Sequence, residues 1–189
     1  MKTILILNGS PNGSKGNCNK LIQIIQQTFS KSVAIKVVHL AESKKQNSLV
    51  KNIKDADGFV FVTGTYWDSW GSPLQKFLED ATDLEGTKAF IGKPCAVFVL
   101  NHSVGGKAVL SRLQGVLSTF GCLIPPMSGM VYSLVTQLAL KNSKSVHKDD
   151  LWTLDDIEMI VQNLMLSLEI TIAWKIWPVD RKNFRKNWI

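Results

Sequence analysis

Apolar residues along this chain fall into short continuous runs separated by segments of helical periodicity. Thr3–Asn8, Gly58–Val62 and Cys95–Leu100 are short continuous apolar runs, and Val33–His39 is a valine-rich segment that also reads as a strand. Short, uninterrupted apolar runs bounded by turn residues predict strands buried on both faces of a parallel sheet. Leu123 to about Val131 predicts a fifth strand, starting after the Pro125–Pro126 turn. Between the runs the period changes to that of helices. Leu21, Ile24, Ile25 and Phe29 mark one helix, and a lysine-rich polar stretch ahead of Gly58 marks another. Leu74, Phe77 and Leu78 mark a third, and Val109, Leu110, Leu113, Val116, Leu117 and Phe120 a fourth. A last helix opens at Thr153 with Asp156 three residues on, a capping signature, and carries the stripe Ile157, Ile160, Val161, Leu164, Leu168 and Ile172. Strand–helix alternation of this kind predicts one α/β domain, a doubly wound five-stranded parallel sheet with helices on both faces.

Composition narrows the picture without redrawing it. A chain of 189 residues with 45% hydrophobic and 20% charged residues fits one compact domain and excludes disordered, collagen-like or coiled-coil chains. The uncharged stretch between Arg112 and Lys141 is broken by Gly115, Gly121, Pro125, Pro126 and Gly129, so it reads as a helix, a turn and a strand of the core and not as a transmembrane segment. Cys18, Cys95 and Cys122 are scattered, with no C-x-x-C, so neither a disulfide framework nor a metal site is expected. The thiols read as reduced, in a cytoplasmic protein. The net charge of +7 favours anionic partners without choosing among them. Part of it is gathered in residues 174–189, where Lys175, Arg181, Lys182, Arg185 and Lys186 mix with Trp174, Trp177, Phe184 and Trp188. This basic aromatic arm is set apart from the domain of residues 1–173. It reads first as a subunit-packing arm, with membrane-surface contact as an alternative and no nucleic-acid role expected.

Ligands of doubly wound sheets bind beyond the carboxyl ends of the strands, and the three least regular loops lie there. The first, Gly9–Cys18, joins a strand to a helix. Its backbone N–H groups and the helix N-terminus suit a phosphate, with Ser10, Asn12, Ser14 and Asn17 as further donors. It fits neither G-x-x-x-x-G-K-[ST], since Ser14 and Gly16 stand where Gly and Ser/Thr are needed, nor G-x-G-x-x-G, since Pro11 stands at a glycine position. A single terminal phosphate is therefore expected, the plain alternative being an ordinary polar turn. The second loop, Gly64–Pro73, sets Tyr66, Trp67 and Trp70 in a polar turn, where aromatics can wall a planar ring. Trp70 can equally cover the end of the core. In the third, Asn101–Gly106, Gly105 and Gly106 permit close backbone approach, and His102 is either a ligand donor or a solvated capping residue.

These motifs resemble those of a known family. Gly9-Ser10-Pro11 with Asn17, and Asp55–Val62 followed by Thr65-Tyr66-Trp67 and Pro73-Leu74, are similar to the phosphate loop, third strand and ring-binding loop of the flavodoxin-like NADPH-dependent FMN reductases. The similarity covers roughly Lys2–Gly121. It implies FMN with its phosphate on Ser10, Asn12, Asn17 and Cys18. The flavin ring would lie against Gly64, Thr65, Tyr66 and Trp67 and against the loop of Asn101, His102, Gly105 and Gly106. NADPH or NADH would serve as co-substrate, with hydride passing to a quinone, flavin, azo or nitro compound in a homodimer or homotetramer. No side chain need act as acid or base, so no catalytic residue is named. A non-catalytic electron carrier and a flavin-less interaction module are the alternatives. The chain departs from the family pattern at Gly64, where proline is usual, at Cys18, where threonine is usual, and at Glu79–Asp80, where an acidic–arginine pair is common.

Overall fold

The computed structural model describes residues 1–43, 46–142 and 151–176. Five parallel strands, β1 (Lys2–Asn8), β2 (Val33–His39), β3 (Gly58–Gly64), β4 (Cys95–Asn101) and β5 (Gly129–Ser133), form one sheet in the order β2-β1-β3-β4-β5. The helices are α1 (Asn17–Thr28), α2 (Gln46–Asp55), α3 (Ser72–Asp80), α4 (Gly106–Phe120), α5 (Leu134–Asn142) and α6 (Asp156–Ser167).

Strand periodicity sorts the core into two layers. Leu5, Leu7, Phe59, Phe61, Val97 and Val99 point to one face, where they meet apolar residues of α2, α3 and α4. Ile4, Ile6, Val60, Val62, Ala96 and Phe98 point to the other, against α1 and α6. Burial on both faces explains why these strands read as unbroken apolar runs. The expected flavodoxin-like doubly wound sheet is the fold observed.

Three details differ from the sequence expectation. The fifth strand proper begins only at Gly129, although Leu123 makes an isolated bridge to Pro94. The uncharged stretch then continues into α5, whose faint amphipathicity leaves Leu134, Val135 and Leu138 exposed and gave no periodic signal. Helix α6 stops at Ser167, so Leu168 still packs in the core while Ile172 lies beyond the helix, half exposed. Its start is as expected, with the Thr153 N–H donating to Asp156 Oδ2 at 2.6 Å. Among the described residues no helix is long and apolar enough to cross a membrane.

Of the C-terminal arm, only Trp174, Lys175 and Ile176 are described. They line a second cleft at the opposite end of the sheet, where the Trp174 ring lies over Gly92, with 2.7 Å between Trp174 Cδ1 and a Cβ built on that glycine. Residues 177–189, with Trp177, Phe184 and Trp188, lie outside the described residues.

The order β2-β1-β3 reverses direction at β1, and the connections leaving β1 and β3 diverge to opposite faces. That divergence opens a crevice above their carboxyl ends.

Candidate functional site

A cleft of about 440 Å³ sits at this switch point. The β1–α1 loop brings Ser10, Asn12, Asn17 and Cys18 to it, and the ends of β3 and β4 bring Gly64, Thr65, Tyr66, Asn101 and His102. Nine of the twelve site residues expected from the sequence therefore line one cavity.

The first loop is built outward from Asn8. This buried asparagine accepts from the Ser10 N–H at 3.0 Å and donates Nδ2 to the Gly13 carbonyl at 2.9 Å. Its Nδ2 also lies 3.0 Å from His39 Nδ1 at the end of β2. Gly13 turns at φ +51°, and its N–H donates back to the Ser10 carbonyl at 3.0 Å. Outside the loop, Glu42 Oε1 accepts from the Ser14 N–H at 2.7 Å and from its hydroxyl at 2.8 Å. The Ser14 N–H, its hydroxyl, and then His39 and Lys15, hold the Glu42 carboxyl below its ordinary pKa.

Helix α1 has Gly16 as its N-cap and no side-chain cap. The first N–H groups of a helix have no intrahelical acceptor and carry its positive end. Lys20 adds a cation to the same wall of the cleft. Cys18 lies in this first turn, yet burial pushes its thiol up to about 11, against a hydrogen bond from Ser10 that lowers it. The thiol is consequently neutral at ordinary pH and adds no negative charge where an anion would sit.

Loops one and two are tied together. Tyr66 folds back so that its hydroxyl lies 3.2 Å from Ser10 Oγ. A Cβ on Gly64 would stand 3.1 Å from the Tyr66 ring, so glycine at this position makes room for that fold-back. A Cβ on Gly71 would overlap the Gly9 carbonyl oxygen and lie 2.9 Å from Pro11 Cδ. The second loop closes through the Gly71 N–H, which donates to Thr63 Oγ1 at 3.1 Å.

Buried polar atoms are nearly always partnered, and each exception calls for an explanation such as strain, a functional role, a water or an ion. Among the described residues Thr65 Oγ1, Asn101 Oδ1 and Ser128 Oγ are buried without a partner. Two of these three belong to residues lining the cleft. An uncapped helix N-terminus with a lysine suits a phosphate. Partnerless oxygens on the β3 and β4 side, beside Tyr66, suit the polar edge of a planar heterocycle.

Trp67, Gly105 and Gly106 are not on the cleft wall. Trp67 and Asp68 form the tip of a two-residue turn, with φ of +48° and +56°, closed by the Tyr66 N–H to Ser69 carbonyl bond at 2.7 Å. The tip carries Trp67 into solvent, fully exposed. Arg112 holds this turn by donating to the Asp68 carbonyl. Gly105, at φ +83°, leaves space for the Asp68 carboxylate, and Gly106 is buried against Val131 and Asn101. Both glycines pack the loops together and leave the lining to Asn101 and His102. Trp70 covers the core, as its second reading had it, with Nε1 donating to Gln75 at 2.9 Å.

Sequence reasoning missed the apolar wall made by Leu21, Ile24, Tyr132, Leu134 and Leu154. Leu21 and Ile24 were legible as helix residues. Only the packing of α1 beside the α6 entrance shows that they also face the cleft.

Comparison with known proteins places this cleft in context. The sequence model of a family described as NADPH-dependent FMN reductase matches residues 2–134. A protein of Chelativorans sp. (strain BNC1) named NAD(P)H dehydrogenase (quinone) is 27% identical over 116 residues, 60% of this chain and 58% of that protein. The match thus spans little more than half the length of that relative. Among solved structures, an oxidoreductase from Corynebacterium diphtheriae superposes with a TM-score of 0.69 at 13% identity, covering 89% of this chain and 97% of that one. A flavoenzyme NAD(P)H:(acceptor) oxidoreductase from Paracoccus denitrificans gives 0.65 at 19% identity, covering 88% and 99%. At such identities the structural likeness speaks for the fold alone.

Proposed function

The chain belongs to the NADPH-dependent FMN reductase family, and on that premise we propose that it holds FMN in the switch-point cleft and passes a hydride from NADPH or NADH to a small-molecule acceptor. The observation that carries this reading is the pair of buried, partnerless oxygens, Thr65 Oγ1 and Asn101 Oδ1, in a cleft whose other wall is an uncapped helix N-terminus.

FMN, when bound, supplies the hydride-accepting centre, so the protein contributes position and environment. Ser10, Asn12, Asn17, Cys18 and the first N–H groups of α1 would take the phosphate, with Lys20 balancing its charge. Thr65, Asn101 and the backbone beside Tyr66 would meet the polar edge of the ring. Leu21, Ile24, Tyr132, Leu134 and Leu154 exclude water from the apolar side. Among the described residues no carboxylate lines the cleft. The acceptor class extends to quinones, flavins, azo and nitro compounds. A homodimer or homotetramer is part of the proposal, supported by exposed Val104, Leu134, Val135 and Leu138. A reducing, cytoplasmic setting is supported by three buried free thiols.

The test is the visible spectrum of protein reconstituted with FMN, desalted and mixed anaerobically with NADPH. The expected result is a retained flavin band that bleaches. A retained band that stays oxidised would turn the reading toward an electron carrier, and loss of the band on desalting would remove tight FMN binding.

A further inference from the structure

Among the described residues Glu42 is the acidic side chain braced against the first loop, and it sits outside the cleft. Strand β2 ends at His39, and a single 3-10 turn, Leu40–Glu42, carries the carboxylate back to β1. There Oε1 takes both donors of Ser14, at 2.7 and 2.8 Å. A Cβ on Gly13 would overlap the same carboxylate, so the two are in close contact. Neither Gly13 nor Ser14 lines the cleft, so Glu42 does not occupy the place of a bound anion. From Gly13 the connection runs inward: its N–H holds the Ser10 carbonyl at 3.0 Å, and its carbonyl holds Asn8, which in turn fixes the Ser10 N–H. Ser10 is buried and faces the cleft.

We infer that Glu42 is a positioning residue for phosphate recognition. Its carboxylate clamps Ser14 and Gly13 from outside, and that clamp fixes the buried Ser10 and the loop donors in the arrangement an organic phosphate needs. This inference rests on the FMN reading and adds to it the residue on which discrimination between phosphorylated and unphosphorylated flavin depends. Among the described residues, the charged or titratable groups that act on the carboxylate are His39 and Lys15, and both favour its ionised form.

The geometry separates a clamp from a mere nearby charge. A carboxylate that only repelled the ligand's phosphate would, on removal, tighten binding. Loss of a clamp weakens binding, and weakens it only for ligands that carry the phosphate.

The experiment is fluorescence titration of the full-length protein with FMN and, separately, with riboflavin, for the wild type and for Glu42→Ala, Glu42→Gln and Ser14→Ala. Two hydrogen bonds to a charged acceptor are lost in Glu42→Ala, so its FMN affinity is expected to fall about tenfold with riboflavin affinity unchanged. Glu42→Gln keeps an acceptor oxygen and is expected within about threefold of wild type, with Ser14→Ala between the two. Glu42 is exposed, so circular dichroism should show all variants folded. The inference is overturned if Glu42→Ala binds FMN as wild type does, binds it more tightly, or loses FMN and riboflavin in parallel. Wild-type protein that binds neither flavin would overturn the FMN reading itself, and this inference with it.

Discussion

At the scale of single residues, Thr65 makes the sharpest prediction. Its hydroxyl is buried without a partner, which costs the ligand-free protein stability, and on the proposed FMN reading the hydroxyl gains a hydrogen bond when the cleft is occupied. Thr65→Val keeps the shape and removes the hydroxyl. Its ligand-free melting temperature is expected to equal or exceed that of wild type, while FMN affinity falls by about fivefold, the worth of one ordinary hydrogen bond. Calorimetric melting and flavin titration check the two halves. A variant that melts lower and binds FMN unchanged would show that the hydroxyl has a structural partner. Cys18 shows how environment overrules position. A thiol in the first turn of a helix is ordinarily acidified, yet here burial dominates and the group stays neutral. The identity of Cys18 was readable from the sequence, but the sign of its shift was not, because burial depends on what α1 packs against.

At the scale of elements, the helices and strands were legible because each obeys a single period. Apolar runs marked β1, β3 and β4 within a few residues, since residues buried on both faces leave no alternation to misread, while the edge strand β2 was marked by its valines. Helix α5 escaped because it follows β5 without a turn signal and presents no clean apolar stripe. The same limit applied to the site. The residue types of the three loops pointed to phosphate and ring recognition, but the direction of Trp67 depended on a turn with two positive φ values, which no glycine or Asn-Gly pair announced. Contacts between loops matter as much as their composition. Gly71 begins the approach to α3 pressed against the Gly9 carbonyl, a place with no room for a methyl group. Gly71→Ala is expected to destabilise the protein by about 1–3 kcal/mol through forced separation of the two loops. Urea denaturation measures it, and a variant as stable as wild type would show that the loops can part freely.

At the scale of the whole molecule, the order β2-β1-β3-β4-β5 explains why the cleft lies where it does and why its two walls differ in chemistry. Polar donors come from the carboxyl ends of three strands, while the apolar wall comes from α1, the end of β5, the start of α5 and the segment leading into α6. The Cys18 thiol also links global stability to pH. Its folded-state pKa of about 11 is above the unfolded value of 9.0, so the protonated thiol is the form the fold favours. That contribution is complete below about 9 and is lost as the pH rises through about 11. Stability measured from pH 8 to 11 should decline more steeply for wild type than for Cys18→Ala, and identical slopes would contradict the burial argument. The cleft lining runs from Ser10 to Leu154, past residue 134 where the family match stops. A nascent chain emerging from the ribosome therefore presents its phosphate loop first and its last wall residue more than a hundred residues later. On this geometry a chain released before Leu154 carries every motif of the three loops and most of the apolar wall, and lacks the wall residue supplied by the segment that leads into α6.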